Sequence, residues 1–204
     1  MENCPKTQEA INNMQGVPYA SACGSLMYAM VATRPDIAYV VRVVSRFMAN
    51  PGKAHWNVVK SIMRYLRGTK NKCLCYGKDP LELKDFCDSD MAGDVYTRKS
   101  TSGYVFRLAS CAVSWCSRLQ KVFSLSTNEA EYNSVTEASK EAIWLARLCS
   151  EFGLPEKAPM LGCDRLIARV PCVWQRMLCF MHAQNILMCD ITSFEKCLRM
   201  TLSH

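Results

Sequence analysis

Glu131 heads a run in which Glu131, Val135, Ala138, Ala142, Leu145, Cys149 and Phe152 recur at alternating steps of four and three. That period predicts one face of a helix packed on a core, and its first member is a carboxylate. A carboxylate at the head of a buried stripe is costly unless a cation meets it. Two readings fit: a structural glutamate held in a salt bridge, or a ligand for a divalent ion. Asp88 and Asp90 fall where a strand run ends, the usual place for site residues in an α/β sheet. One carboxylate at a strand end and another at a helix start, facing the same sheet, form an acidic pair suited to Mg²⁺ or Mn²⁺. Metals held this way support in-line phosphoryl displacement. Glu129 lies off the stripe, and capping explains it.

A second set of side chains is basic. Lys60, Arg64 and Arg67 follow i, i+4, i+7 spacing and share one helical face, with Lys53, Lys70 and Lys72 on its flanks. A solvated face and a surface that tracks phosphates fit this pattern equally. The 25 Lys+Arg against 18 Asp+Glu give a net charge of +7, which permits a polyanionic partner without requiring one. Thirteen cysteines, an odd number at irregular spacing, argue against a disulfide framework. Cys73-x-Cys75 is too tight for zinc, and Cys111-x4-Cys116 lacks a second half-site. The cysteines read as small hydrophobes.

The elements that must position these groups follow from patterning. At 204 residues, 50% hydrophobic and 21% charged, the chain is globular, which excludes disorder, collagen and coiled coil. Mean hydropathy is −0.05, and no apolar run approaches the roughly 20 residues of a membrane span. The N-terminus lacks a signal-type apolar run, so a soluble intracellular protein is expected, cytoplasmic or nuclear. Residues 1–18 are polar, with Pro5, Gly16 and Pro18, and read as a loose arm. Residues 19–32 suit a closely packed helix rich in small side chains. Thr33-Arg34-Pro35-Asp36 marks a break and a helix start, with Pro35 where its missing N–H costs nothing. Ile37, Val40, Val41, Val44, Phe47 and Met48 then form an apolar stripe that ends at Asn50-Pro51-Gly52. A third helix, about 54–66, is expected to bury Trp56, Val59, Ile62, Met63 and Leu66 and to stop at Gly68.

After Pro80 the texture changes to strands. Residues 81–86 run into Cys87-Asp88-Ser89-Asp90, and residues 101–108 and 111–115 read as a hairpin. Ser126-Thr127-Asn128-Glu129 is a capping-box pattern opening a long helix that ends at Gly153, with Pro155 behind it. Strand, hairpin and long helix make an α/β arrangement with the helix over one sheet face.

Several ordered blocks carry a resemblance. They include Pro18-Tyr19-Ala20-Ser21, Gly24-Ser25-Leu26-Met27-Tyr28, Thr33-Arg34-Pro35-Asp36-Ile37, His55-Trp56 and Arg64-Tyr65-Leu66-x-Gly68-Thr69. Further on come Asp88-Ser89-Asp90-x-Ala92-Gly93-Asp94, Arg98-Lys99-Ser100-Thr101-Ser102-Gly103-Tyr104, Trp115-x-Ser117, Gln120-Lys121, Ser126-Thr127-x-Glu129-Ala130-Glu131-Tyr132 and Glu141-Ala142-x-Trp144-Leu145. From about residue 4 to 160 the chain resembles the polyprotein of copia-type LTR retrotransposons, where reverse transcriptase passes into RNase H. The resemblance implies an RNase H-like mixed sheet preceded by a small helical reverse-transcriptase remnant. It also implies cleavage of the RNA strand of RNA–DNA hybrids with two Mg²⁺ or Mn²⁺ ions and no small-molecule cofactor. Of the family's four metal-binding carboxylates, the first maps to Asp88, with Asp90 as the alternative, and the second to Glu131. The third belongs in a Cys-Asp pair, for which Cys163-Asp164 is the candidate. The fourth belongs in a Lys-His-Ile-Asp block, which this sequence lacks. Met91 also departs from the family, which usually has Trp there.

The tail has its own composition. Residues 161–204 hold five cysteines, four methionines, one glycine and no tyrosine. Reading residues 172–198 one base out of frame forces Ala at the Trp174–Gln175 junction, Ala at Met181–His182 and Val at Met188–Cys189. With permitted codons elsewhere, the shifted text contains the missing Lys-His-Ile-Asp block, its aspartate spanning the codons of Leu187 and Met188. A frameshift between about 161 and 171 accounts for this, leaving the sheet incomplete at the C-terminus. The expected organisation is a polar arm (1–18), a helical reverse-transcriptase remnant (19–72), an RNase H-like domain (73–164) and an out-of-frame tail (165–204). Asp88, Glu131 and Asp164 are the expected catalytic and metal-binding residues, and Lys60, Arg64 and Arg67 the nucleic-acid contacts. Three functions stay open: an impaired hybrid nuclease, a non-catalytic nucleic-acid-binding remnant, and a pseudogene product without function.

Overall fold

The structure, a computed structural model, describes residues 4–77, 81–109 and 111–154. Asp164 and the tail from residue 165 lie outside the described residues. The chain divides into two compact units between Cys73 and Leu74.

The first unit is helical: α1 (Gln8–Gln15), α2 (Tyr19–Ala32), a 3₁₀ turn (Pro35–Ile37), α3 (Ala38–Ser45) and α4 (Lys53–Gly68). The arm expected to be loose thus contains a helix. The Thr7 side chain caps it by accepting from the Ala10 N–H, although α1 buries no residue. The core joins Tyr19, Cys23 and Leu26 of α2 to Ile37, Val41 and Val44, and to Val58, Val59 and Ile62 of α4. The Tyr19 hydroxyl donates to the Val44 carbonyl at 2.8 Å, so this polar group is satisfied inside the core.

Two corrections concern which faces turn inward. The line buried by α4 runs through His55, Val58, Val59 and Ile62, whereas Met63 is exposed and Trp56 only half-buried. His55 is held on this buried line by two contacts. Its ring stacks on Phe47 with centroids 3.9 Å apart, and its Nδ1 accepts from the Gly52 N–H at 2.9 Å, capping the helix. Helix α3 stops at Ser45, before the Asn50-Pro51-Gly52 break, so Phe47 is buried from a turn and Met48 is exposed.

Arg34 and Asp36 form a buried ion pair at 2.6 Å, and the Arg34 guanidinium also donates to Thr69 Oγ1 at 2.6 Å. The Tyr65 hydroxyl donates to Asp36 Oδ2 at 2.8 Å. The Thr33–Ile37 and Arg64–Thr69 blocks therefore meet in one polar network that ties the start of α3 to the end of α4. Buried charges persist only when paired and hydrogen-bonded in this way.

The second unit is a three-stranded antiparallel sheet, order β1-β2-β3, with one long helix: β1 (Lys84–Asp90), β2 (Thr101–Leu108), β3 (Cys111–Leu119) and α5 (Thr127–Glu151). All described strand pairs are antiparallel, so the mixed sheet expected from the sequence has no parallel pair among the described residues. Helix α5 packs over β1 and β2, burying Phe106 against Ala138, Ala142 and Leu145. The stripe begins one residue, about 100°, from its expected line. Ala130 and Ser134 are fully buried, Glu131 and Val135 half-buried, and Phe152 is 74% exposed. Small side chains at 130 and 134 let the head of α5 approach β1 closely. The helix opens on Ser126, whose side chain accepts from the Glu129 N–H, and it closes before Gly153, which adopts a φ of +69°.

Candidate active site

Strand β1 continues past its expected end, so Asp88 lies inside the sheet, opposite Gly103, and Asp90 is the last strand residue. Ser134 fixes the crossing of α5 over this strand: its hydroxyl donates to the Asp88 carbonyl at 2.6 Å. One turn earlier on α5, the Glu131 carboxyl meets the Asp88 carboxyl within hydrogen-bond reach. The Ser89 N–H donates to Asp88 Oδ1 at 2.8 Å, and Ser89 also hydrogen-bonds Glu131 through its backbone and side chain.

Burial pushes the Glu131 carboxyl up to about 7, with the Asp88 charge and hydrogen bond adding to the rise and Ser89 opposing it. Like charges at close range disfavour double ionisation, and low exposure strengthens the effect. Among the described residues, the strongest influences on Glu131 are burial, Asp88 and Ser89. Glu129, by contrast, is exposed and accepts from the Leu125 N–H at 2.7 Å, a capping role.

The two aspartates divide their tasks. A Cβ at Gly93 would run into the Asp90 carboxylate, so Asp90 is folded over the glycine backbone at the start of the next loop. Only glycine admits that approach. Asp88 is the aspartate that meets Glu131. Two facing carboxylates, with repulsion a cation would relieve, suit a hard divalent ion with oxygen ligands. Among the described residues, no group of three or more His, Cys, Asp or Glu side chains could hold a metal. The third expected donor, Asp164, lies outside the described residues.

Gln120 is a site residue that the sequence reading left without a role. It is buried directly after β3. Its Nε2 donates to Ser102 Oγ at 2.9 Å and to the Ala130 carbonyl at 2.8 Å. Its Oε1 accepts from Ser124 Oγ at 2.6 Å, and its backbone N–H donates to the Ser100 carbonyl at 2.8 Å. Gln120 thus clamps β2, the loop before α5 and the first turn of α5, one residue from Glu131. Its signal lay only in the Gln120-Lys121 block, because spacing does not reveal a side chain that joins three elements.

In the other unit, Lys60, Arg64 and Arg67 are all exposed on α4. Cys23 and Cys111 are buried like small apolar side chains. No helix among the described residues is long and apolar enough to cross a membrane.

No family model matches the chain, and no solved structure matches it. Curated relatives do. The chain is 58% identical over 162 residues to the retrovirus-related Pol polyprotein from transposon TNT 1-94 of Nicotiana tabacum, covering 79% of this chain and 12% of that protein. It is 38% identical over 156 residues to the corresponding polyprotein from transposon RE2 of Arabidopsis thaliana, covering 76% of this chain and 11% of that protein. The secreted RxLR effector protein 161 of Plasmopara viticola is 45% identical over 133 residues, which cover 65% of this chain and 94% of the effector. The chain thus spans only about an eighth of the tobacco polyprotein, at 12% of its length. Over most of its length the chain is thus homologous to one stretch of retrotransposon Pol polyproteins.

Proposed function

We propose that residues 73–164 are an RNase H-like domain and residues 19–72 the end of a reverse transcriptase. By descent the domain is an endonuclease for the RNA strand of RNA–DNA hybrids, and as it stands it cuts weakly or not at all. The single observation that carries this reading is the meeting of Glu131 with Asp88 at the head of α5, in a chain homologous to Pol polyproteins. Asp88 and Glu131, with Asp164 as third donor, would hold two Mg²⁺ or Mn²⁺ ions. Such ions supply charge stabilisation and an activated water for in-line phosphoryl displacement.

The chain's own residues do the positioning. Ser134 and Gln120 hold the head of α5 against β1 and β2 through neutral hydrogen bonds. Ser89 donates to Asp88 and lowers the proton affinity of Glu131. The pair therefore keeps its geometry although its charges repel. Impairment follows from the sequence: the Lys-His-Ile-Asp block is absent, and a catalytic constellation must be held to about half an ångström.

The test is Mg²⁺-dependent hydrolysis of a labelled RNA–DNA hybrid by the chain as it stands and by a version with the reading frame restored after residue 161. Restored cleavage beside an inert parent supports the reading. Equal cleavage by both would show that the present tail completes the site. Absence of cleavage in both would remove the nuclease assignment.

The exposed basic face of α4 favours one further reading, a non-catalytic grip on hybrid duplexes through Lys60, Arg64 and Arg67. Salt-dependent hybrid binding without cleavage distinguishes it from a product with no function.

A further inference from the structure

The sheet of the second unit has one end at which two loops emerge together. Thr101 pairs with Leu119, so residues 91–100 lead into that end and residues 120–126 leave it. Asp90 closes β1 at the same end, and Ser126 starts α5 there.

The two loops are joined through Lys99. Its Nζ donates to the Lys121 carbonyl at 2.8 Å and lies 5.1 Å from the centroid of the Phe123 ring. The first loop is braced from within: Asp94 is buried and accepts from both the N–H and the hydroxyl of Thr97. Arg98 takes a left-handed φ of +56°, fixed by its N–H donating to the Asp94 carbonyl at 2.8 Å. The acid of this loop is thus turned inward, while Arg98 and Lys121 are exposed. Phe123 is 60% and Leu125 88% exposed beside them.

An exposed phenyl ring with one ammonium held beside it, and two further exposed cations on the same pair of loops, is a combination that can bind an unpaired nucleotide. The ring offers a face to a base and the cations take the adjoining phosphates. Bases inside a duplex have no free face, so the ligand must be single-stranded at this point. We propose that Arg98, Lys99, Lys121 and Phe123 form a rim that binds an unpaired nucleic-acid strand, such as the overhang adjoining a hybrid duplex. The proposal rests on nucleic acid being the ligand of this domain and is independent of cleavage.

The experiment measures binding of a fluorescent oligothymidylate, and of an RNA–DNA hybrid with and without a single-stranded overhang, to the full 204-residue chain. To remove the α4 contribution, all arms are repeated with Lys60, Arg64 and Arg67 changed to Ala. Phe123→Ala should weaken oligothymidylate and overhang binding by about tenfold and leave its salt slope unchanged. Phe123→Trp should retain affinity, and Phe123→Leu should behave like Ala, which separates stacking from apolar bulk. Changing Lys99 and Lys121 together to Ala should lower the single-strand salt slope by about 1.4, two phosphates' worth. Blunt hybrid binding should not respond to Phe123→Ala. Overhang binding that ignores Phe123→Ala, with hybrid binding intact, overturns the rim and leaves the nucleic-acid reading standing. Absence of binding to every nucleic acid overturns both. Loss of binding to phosphatidylserine vesicles in these variants, with oligonucleotide binding unchanged, would overturn the rim in favour of a lipid surface.

Discussion

Replacing Glu131 by Gln removes the ionisable group from a site where its charge is opposed. The carboxyl rises from an ordinary 4.5 to about 7 in the folded chain, chiefly through burial and then through Asp88. A carboxyl whose pKa is higher folded than unfolded favours the fold while it is protonated in both states. That advantage drains away as pH climbs from about 4.5 to about 7. Fully converted, the rise corresponds to about 3 kcal/mol. Solvent reaches a half-buried group and screens it, which brings the figure to the order of 1–2 kcal/mol. Glutamine keeps the shape and can still hydrogen-bond Ser89 and Asp88. At about pH 8 without divalent ions, Glu131→Gln should therefore be more stable than the parent by that amount, and at about pH 4 the two should match. The assay is urea unfolding read from amide signals of the sheet, so that it reports the second unit. Adding Mn²⁺ at about pH 8 should raise the parent's midpoint by mass action and leave the variant's in place. A variant that is less stable at high pH, or whose advantage is the same at both pH values, would refute the electrostatic reasoning.

Four other outcomes are expected. Gln120→Leu should lower stability by about 2–3 kcal/mol, because buried partners lose their hydrogen bonds; Mn²⁺ titration should also show weaker binding, since the head of α5 loses its clamp. Asp36→Ala should destabilise the helical unit by about 3–5 kcal/mol by leaving Arg34 buried without its counter-ion, as urea unfolding read from helical amides will show. His55 is pushed down, first by burial; the stability it contributes is present above pH ~6.5 and should be lost as pH falls through its lower folded value, checked by thermal melts of a His55→Gln variant across that range. Changing Lys60, Arg64 and Arg67 together to Ala should flatten the salt slope of hybrid binding by about 2.7, three contacts' worth, and an unchanged slope would leave only a solvated face.

Local information was strong enough to define some features from sequence alone. Residues 101–108 form β2 as the β-rich run indicates, Ser126 caps α5, Gly153 ends it with a positive φ, and Pro35 opens the turn before α3. Each depends on backbone geometry or side-chain chemistry within a few residues, so the sequence carries it directly. Glu131 also stood out, because a carboxylate at the head of an apolar stripe violates the pattern around it. What tertiary structure decided involves contacts between distant residues. Asp88 rather than Asp90 meets Glu131, because Asp90 turns over the bare backbone of Gly93. Helix α4 buries His55 beside Val58, Val59 and Ile62 and exposes Met63; the His55 ring stacks on Phe47 and its Nδ1 accepts from the Gly52 N–H, contacts that helical spacing alone does not show. The Arg34–Asp36–Tyr65–Thr69 network and the Gln120 clamp unite residues that spacing cannot relate. Periodicity tells which face of one element is apolar; which neighbour that face meets, and which polar groups must be satisfied there, is settled only when the elements pack.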